Sequence, residues 1–241
     1  GRFMKVKRYL LLLVLGGIIG GFVGSSMGSI STFLSNVNFA HIHFGLITCI
    51  IASLIIIGLT FYLWKVQKDA LKFKNQSLNS IEDDDADLFE KKSNLNFNKS
   101  SIIAYIQLII SFVALLLIVF GHGSNIDVLY AIIPYMLTII PSIMLGFFNR
   151  RFDSRYPKIG EKNYTEKTLA LLDEGERHIA IVSMYKNYGV NLALLMFAII
   201  YLGIFSIDTG SNQTLGILFL IIIFAYNSLG YMLKVRKFYK S

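Results

Sequence analysis

The chain has 241 residues, of which 54% are hydrophobic and 16% are charged, and its mean hydropathy is +0.59. About a quarter of the residues of a soluble domain are charged, so this composition argues against a soluble protein. The formal net charge of +8 does not indicate nucleic-acid binding, because all 23 Lys and Arg residues fall in four segments separated by long apolar stretches: 2–8, 65–99, 150–186 and 234–240.

A helix needs about 20 consecutive apolar residues to cross the hydrocarbon core of a bilayer. Six such stretches occur, at 9–30, 44–64, 101–120, 128–148, 189–207 and 215–233. They predict an all-α polytopic membrane protein with six transmembrane helices in a single domain, 1–241. Cytoplasmic loops are enriched in Lys and Arg, so both termini and the loops 65–100 and 149–187 are predicted to be cytoplasmic. Residues 1–3 precede Met4 and are expected to be a cloning remnant.

The first predicted helix carries small residues at regular spacing. Its glycines recur at steps of four residues, at Gly16, Gly20, Gly24 and Gly28. Small residues at this spacing let helix backbones approach closely in lipid. The pattern predicts a close helix contact, either within the subunit or with another chain.

Two polar clusters lie outside the predicted spans. The acidic segment 82–87 lacks the alternating ligands and central Gly of a calcium loop. It is either a solvated turn that precedes a helix or a docking patch for a basic partner. His41, His43 and His122 have no acid or Cys beside them, so no metal site is predicted, and the role of this histidine pair and of the acidic segment stays open.

The fourth predicted helix contains Pro134 and Pro141, on nearly the same face. Each proline removes a backbone hydrogen bond and bends a helix. Bent membrane helices line cavities in transporters, but they also occur as packing features, and both interpretations are open here.

The second cytoplasmic loop is predicted to contain an amphipathic helix over 166–186, with Thr165 as its N-cap. Four apolar residues recur at near-helical spacing: Leu169, Leu172, Ile179 and Val182. This face is expected either to cover the cytoplasmic end of the bundle or to dock a cytosolic partner such as an ATPase.

No Lys, Arg, Asp or Glu lies within the six predicted spans, which argues against proton-coupled and ion-coupled carriers. Gln107 is expected to hydrogen-bond between helices. The phosphate loop, the zinc-protease motif and the nucleophile elbow are all missing from the sequence. We therefore expect no enzymatic activity, no catalytic residue and no cofactor.

Three parts of the sequence together resemble an uncharacterised six-helix membrane family of low-GC Gram-positive bacteria. They are the segment 8–21, the motif Leu-Asp-Glu-Gly-Glu-Arg-His at 172–178 and the tail 227–239. The chain is more loosely similar to the short permease subunits of bacterial ABC exporters for peptides, which have six helices and dock a separate ATPase. The family resemblance implies no activity and no site residues.

The topology, the uncharged spans and the two prolines favour a permease-type subunit of an ABC-like exporter for peptides or amphipathic compounds, with the ATPase on a separate chain. The alternative is a non-transporting accessory, immunity or regulatory protein that binds another membrane protein through the first helix. The expected partners are membrane lipids, a cytosolic ATPase subunit and a second subunit in a homodimer or hetero-oligomer. An excess of Lys over Arg and of residues with A/T-rich codons indicates the plasma membrane of a Gram-positive bacterium.

Overall fold

A computed structural model describes residues 11, 14, 16–18, 21, 25–33, 35–36, 43–121, 127–158 and 160–238, and the regular secondary structure of these residues is helical throughout. The chain divides into two compact units. The central unit is Val37–Asp173, and the terminal unit combines Gly1–Asn36 with Glu174–Ser241.

The central unit contains five helices. They are α1 (Phe44–Asn79), α2 (Asp83–Phe120), α3 (Asp127–Leu137), α4 (Ile139–Phe152) and α5 (Tyr164–Ala170). The first two form an antiparallel hairpin that turns at residues 80–82, and both α3 and α4 pack against this pair.

A continuous seam of buried side chains joins α1 and α2. On α1 the seam alternates steps of four and three residues, the spacing of a heptad repeat, at Gly45, Cys49, Ala52, Ile56, Leu59, Leu63, Val66 and Ala70. On α2 it is formed by Ser93, Ser100, Ile103, Ala104, Gln107, Ser111, Ala114 and Ile118. More than half of these residues are Gly, Ala, Ser or Cys, so the two backbones can approach closely, as helices packed in lipid do.

Both arms of this hairpin extend beyond the predicted spans. The 36 residues of α1 correspond to about 54 Å of helix, whereas the hydrocarbon core is about 30 Å thick. Residues 65–79 of α1 and 83–99 of α2 therefore continue as helices beyond the predicted spans. The predicted connection 65–100 is thus largely helical, and the buried seam continues through it at Val66, Ala70, Ser93 and Ser100.

The proline-containing segment is interrupted between its two prolines. Helix α3 ends at Leu137, and α4 begins at Ile139 after a turn at Thr138. The Thr138 amide donates to the carbonyl of Tyr135 at 3.0 Å, a three-residue step instead of the four-residue step of an α-helix. Pro141 has no amide proton to offer the Leu137 carbonyl, which accounts for the break one residue after that carbonyl.

The terminal unit contains a second antiparallel hairpin, made of α6 (Glu174–Thr209) and α7 (Thr214–Phe238). Gly210 has a φ of +68° in the connection, a conformation that favours glycine. The hydroxyl of Tyr188 donates to the carbonyl of Asn227 at 3.2 Å, and the Tyr188 ring lies 5.3 Å from that of Tyr231. Phe205 is the only residue of these two helices that is buried within the described part of the chain.

Within the described residues, five helical segments are long and apolar enough to cross a membrane: Phe44–Asn79, Asp83–Phe120, Asp127–Phe152, Glu174–Thr209 and Thr214–Lys234. The chain is therefore a multi-pass membrane protein. The predicted first span, 9–30, lies partly outside the described residues, as do Gly20 and Gly24. Positions 16–18, 21 and 25–30, which include Gly16 and Gly28, are helical.

Candidate functional site

The part of the α1–α2 hairpin outside the apolar spans, residues 65–99, is the candidate functional site and is called the projecting hairpin below. Its two arms are held together by polar contacts as well as by the seam. The buried Ser93 hydroxyl donates to the carbonyl of Ala70 at 2.9 Å, and the Ser77 hydroxyl donates to the carbonyl of Ala86 at 3.0 Å. The arms are thus joined from the membrane edge to the tip.

An aromatic cluster fixes the base of the projecting hairpin to the end of α4. The Phe97 ring lies 4.5 Å from Phe152, 5.7 Å from Phe148 and 6.0 Å from Tyr156. Lys74 lies over the Phe152 ring, 4.3 Å from its centre, and donates a hydrogen bond to the Phe152 carbonyl. Aromatic pairs and cation–π contacts of this kind each stabilise packing by about 0.5–1.5 kcal/mol.

Two further lysines mark the edge of the apolar span. The Lys68 ammonium lies 3.6 Å from the centre of the Trp64 ring, and that of Lys99 lies 5.0 Å from the Tyr62 ring. Aromatic rings and cations are typical of the interface between hydrocarbon and water. These pairs therefore agree with a membrane edge near Trp64, where the projecting hairpin begins.

The tip of the projecting hairpin exposes large apolar side chains. Ile81, in the turn, is 100% exposed, Leu78 is 74% exposed and Leu88 is 47% exposed. The projecting arm of α1 places them about 22 Å from the end of the predicted apolar span at Trp64, so contact with hydrocarbon is not expected to account for their exposure.

The same tip is strongly acidic. Six carboxylates and no cation occur between residues 82 and 90: Glu82, Asp83, Asp84, Asp85, Asp87 and Glu90. Glu82 occupies the N-cap position of α2, and Asp83, Asp84 and Asp85 form its first turn, where negative charge is favoured by the helix dipole. The acidic segment thus begins α2 itself, with only Glu82 preceding the helix, instead of forming a turn before it. Within the described residues, no group of three His, Cys, Asp or Glu residues could hold a metal ion.

A shallow groove runs along one side of the tip. It is lined by Lys72, Asn75, Gln76, Asn79, Ser80 and Phe89. The Oε1 atom of Gln76 is buried there without a hydrogen-bond partner, and the Phe89 ring stacks on Phe73 at 6.3 Å. The groove thus combines an aromatic side chain with the polar side chains of Asn75, Gln76, Asn79 and Ser80.

The predicted docking helix differs in the structure. Asn163, and not Thr165, occupies the N-cap position of helix α5, which ends at Ala170 and is separated from α6 by residues 171–173. The prediction of one helix over 166–186 is therefore wrong. Asp173 directly precedes α6 and Glu174 is its first residue, and acidic residues are favoured at both positions. These two residues therefore begin α6 instead of extending α5.

The break divides the four apolar residues of the predicted docking face. Leu169 and Leu172 are half-buried in the central unit, whereas Ile179 and Val182 are exposed on α6 in the terminal unit. The structure does not place all four on one helix.

The loop before α5 is held by two ion pairs. Arg155 donates to Asp153 through its Nη2 atom at 2.7 Å, and this hydrogen bond keeps the pKa of the Asp153 carboxyl below its ordinary value. The Glu161 carboxylate accepts a hydrogen bond from the Lys167 ammonium, which lowers the pKa of Glu161. Both pairs are partly exposed, so each adds little to the overall stability.

The other predicted site residues lie inside the central unit. Pro134 and Pro141 are fully buried. Gln107 is also fully buried, and its amide nitrogen donates to the Ile56 carbonyl and to the Thr60 hydroxyl, both at 3.0 Å. Its predicted hydrogen bond between helices is thus confirmed. The sequence interpretation missed the seam in 65–99, because Ala70 and Ser93 are small or polar residues and give little hydrophobic signal.

Comparison with known proteins places the chain in a family. No curated protein and no solved structure matched it. A family model described as a protein of unknown function (DUF3169) matches residues 2–235, nearly the whole chain. This agrees with the resemblance to an uncharacterised family, while nothing in the comparison supports the similarity to ABC permeases. The chain belongs to the DUF3169 family of membrane proteins.

Proposed function

We propose that this protein is a non-transporting accessory or regulatory membrane protein that binds a protein partner through the projecting hairpin. The observation that carries the proposal is a folded helical arm outside the apolar spans, with its own seam and an exposed apolar tip at Leu78 and Ile81. Connections between neighbouring helices need only about 2–8 residues. A rigid arm of about 22 Å is therefore an element that presents a surface to another molecule.

We propose that the projecting hairpin lies in the cytoplasm. All Lys and Arg residues of the chain fall in the two predicted cytoplasmic loops and at the two ends, which is the distribution of the positive-inside rule. Lys68 and Lys99 lie beside interfacial aromatics, where anionic headgroups attract them. The partner would then be a cytosolic protein or the cytosolic part of another membrane protein.

Site-specific photocrosslinking in native membranes tests this function. A photoreactive residue at Leu78 or Leu88, both exposed at the tip, is expected to give one discrete protein adduct. The matched control position is Leu54, which is 64% exposed in the apolar part of α1 and should give lipid adducts only. Lipid adducts alone at both tip positions would contradict the proposal.

A second candidate is the permease-type subunit of an ABC-like exporter. It is favoured by the absence of ionised residues from the apolar stretches and by the interrupted segment around Pro141. A stoichiometric ATPase in the crosslinked adduct, together with ATP-dependent peptide export in vesicles, would favour this candidate over the first.

A further inference from the structure

We propose that the tip of the projecting hairpin is a docking surface for a cationic, amphipathic segment of a partner protein. This inference rests on the proposed function and specifies the charge and the apolar character of the partner segment. The surface consists of the apolar residues Leu78, Ile81 and Leu88 together with the groove beside Phe89 and the acidic segment that follows. Three features of this surface specify the occupant.

The first feature is apolar area without a partner inside the molecule. Ile81 is completely exposed, and Leu78 and Leu88 flank it on the two arms. The Ser77–Ala86 hydrogen bond draws these arms together next to the turn. Covering such a patch with another apolar surface lowers the free energy of the complex, so the occupant has an apolar face.

The second feature is the charge of the rim. Six carboxylates lie between residues 82 and 90 with no Lys or Arg among them, and all six are exposed. The nearest lysines in sequence are Lys91 and Lys92, and the Lys92 ammonium lies 5.6 Å from the centre of the Phe89 ring. Lys72 lines the groove, so the negative charge is concentrated at residues 82–90. Negative charge at the tip repels an anionic membrane surface and attracts a cationic segment. A lipid headgroup is thus disfavoured as the occupant.

The third feature is the polar lining of the groove, which includes Asn75, Gln76 and Asn79. Side-chain amides both donate and accept hydrogen bonds, so this lining can bond a peptide backbone. An amphipathic helix with Leu on one face and Lys or Arg on the other matches the apolar patch, the acidic rim and this polar lining.

The test uses the full chain in nanodiscs of zwitterionic lipid and two synthetic Leu/Lys peptides of about 18 residues, or five helical turns. One has an amphipathic helical order and the other has the same composition in scrambled order. Fluorescence anisotropy is expected to show binding of the amphipathic peptide at least about tenfold tighter than of the scrambled one. Empty nanodiscs measure the lipid background.

Two variants separate the contributions of the apolar patch and of the acids. Ile81→Asn is expected to weaken binding about tenfold at any salt concentration, because it removes the exposed apolar side chain that the peptide would cover. Leu95→Asn is the matched control, since Leu95 is 61% exposed on the lower part of α2, and it should leave the affinity unchanged. The triple change Asp83→Asn, Asp84→Asn and Asp85→Asn should weaken binding about tenfold near 0.05 M salt and hardly at all near 0.5 M.

Several results would overturn the inference. They are equal affinity for the two peptides, equal affinity of the wild type and Ile81→Asn, or loss of self-association by Ile81→Asn, which would make a second copy the occupant. A photocrosslinked adduct at Leu78 that persists in Ile81→Asn, with no peptide binding, would overturn the tip chemistry while leaving partner binding by the projecting hairpin intact. Absence of any protein adduct would instead contradict the proposed function itself.

Discussion

The carboxylate of Asp127 packs directly against the backbone of Gly45, the second residue of α1, so that a methyl group added at Gly45 would overlap the carboxyl group. Asp127 is itself the first residue of α3. One carboxylate therefore lies at the amino ends of two helices, where the partial positive charges of both helix dipoles favour it. The contact joins α3 to α1 at the end of the seam away from the projecting hairpin.

Gly45→Ala is therefore expected to destabilise the protein by about 1–3 kcal/mol, the usual cost of overpacking. Gly58→Ala is the matched control, because nothing lies within 4 Å of the added methyl group at Gly58. It should be neutral or slightly stabilising, since Ala favours a helix more than Gly does. The midpoint of unfolding in mixed detergent micelles measures both, and adding Asp127→Ala should restore most of the loss in Gly45→Ala.

Overpacking the seam should loosen the projecting hairpin. Ser93 is 2% exposed and bonds the Ala70 carbonyl, so Ser93→Leu removes a hydrogen bond and inserts volume between two close backbones. We expect a loss of about 1–3 kcal/mol and faster hydrogen exchange over 65–99. The neighbouring change Asn94→Leu lies on the exposed face and should leave the exchange rates as they are. Equal hydrogen-exchange rates in both variants would contradict the claim that Ser93 packs in a seam that stabilises the projecting hairpin.

Restoring an amide at Pro141 should merge α3 with α4. In Pro141→Ala the new N–H can donate to the Leu137 carbonyl, and the carbon chemical shifts of Thr138 are expected to move to α-helical values in solid-state NMR. Pro134→Ala restores a hydrogen bond two turns earlier, to Tyr130, and should leave the Thr138 shifts unchanged. If Thr138 keeps its turn in Pro141→Ala, Pro141 does not cause the break.

The Asp153–Arg155 pair makes the loop before α5 sensitive to acid. The hydrogen bond from Arg155 lowers the pKa of Asp153 in the folded protein, so the pair stabilises the loop above the ordinary aspartate pKa of about 4. That stabilisation is lost as the pH falls through the lowered folded-state value. An NMR titration of the Asp153 carboxyl carbon should show a pKa below the ordinary value, and Arg155→Ala should raise it. An unchanged titration in Arg155→Ala would exclude the pair as the cause.

The membrane character of this fold was predictable because lipid requires long apolar runs, and five such helices are found in the described residues. The projecting hairpin was not predicted, because a seam built of Ala70, Ser93 and Ser100 does not register as hydrophobic periodicity. The break at residues 171–173 was missed for a different reason. The apolar residues recur at helical spacing from Leu169 to Ile179, which predicts one continuous helix. Asp173 and Glu174 favour the start of a new helix, and this signal was given less weight than the spacing.

Only part of the candidate site, its acidic residues, could be predicted from the sequence. The acids of the segment 82–87 are visible as a run, but their position at the start of α2 depends on where the hairpin turns. The exposure of Ile81 also depends on that turn, because an apolar residue in the connection between two helices can be either buried or exposed. The groove beside Phe89 needs both arms in register, which spacing within one helix does not specify.

The most direct test of the central claim is co-purification in mild detergent from native membranes with a shortened hairpin. Removing residues 73–79 and 84–90 deletes one heptad from each arm and keeps the remaining seam in register. We expect the wild type to retain a stoichiometric protein partner that the shortened variant loses, while both stay folded with the same helix content per residue. Retention of the same partner by the shortened variant would contradict the claim that the projecting hairpin is the binding element.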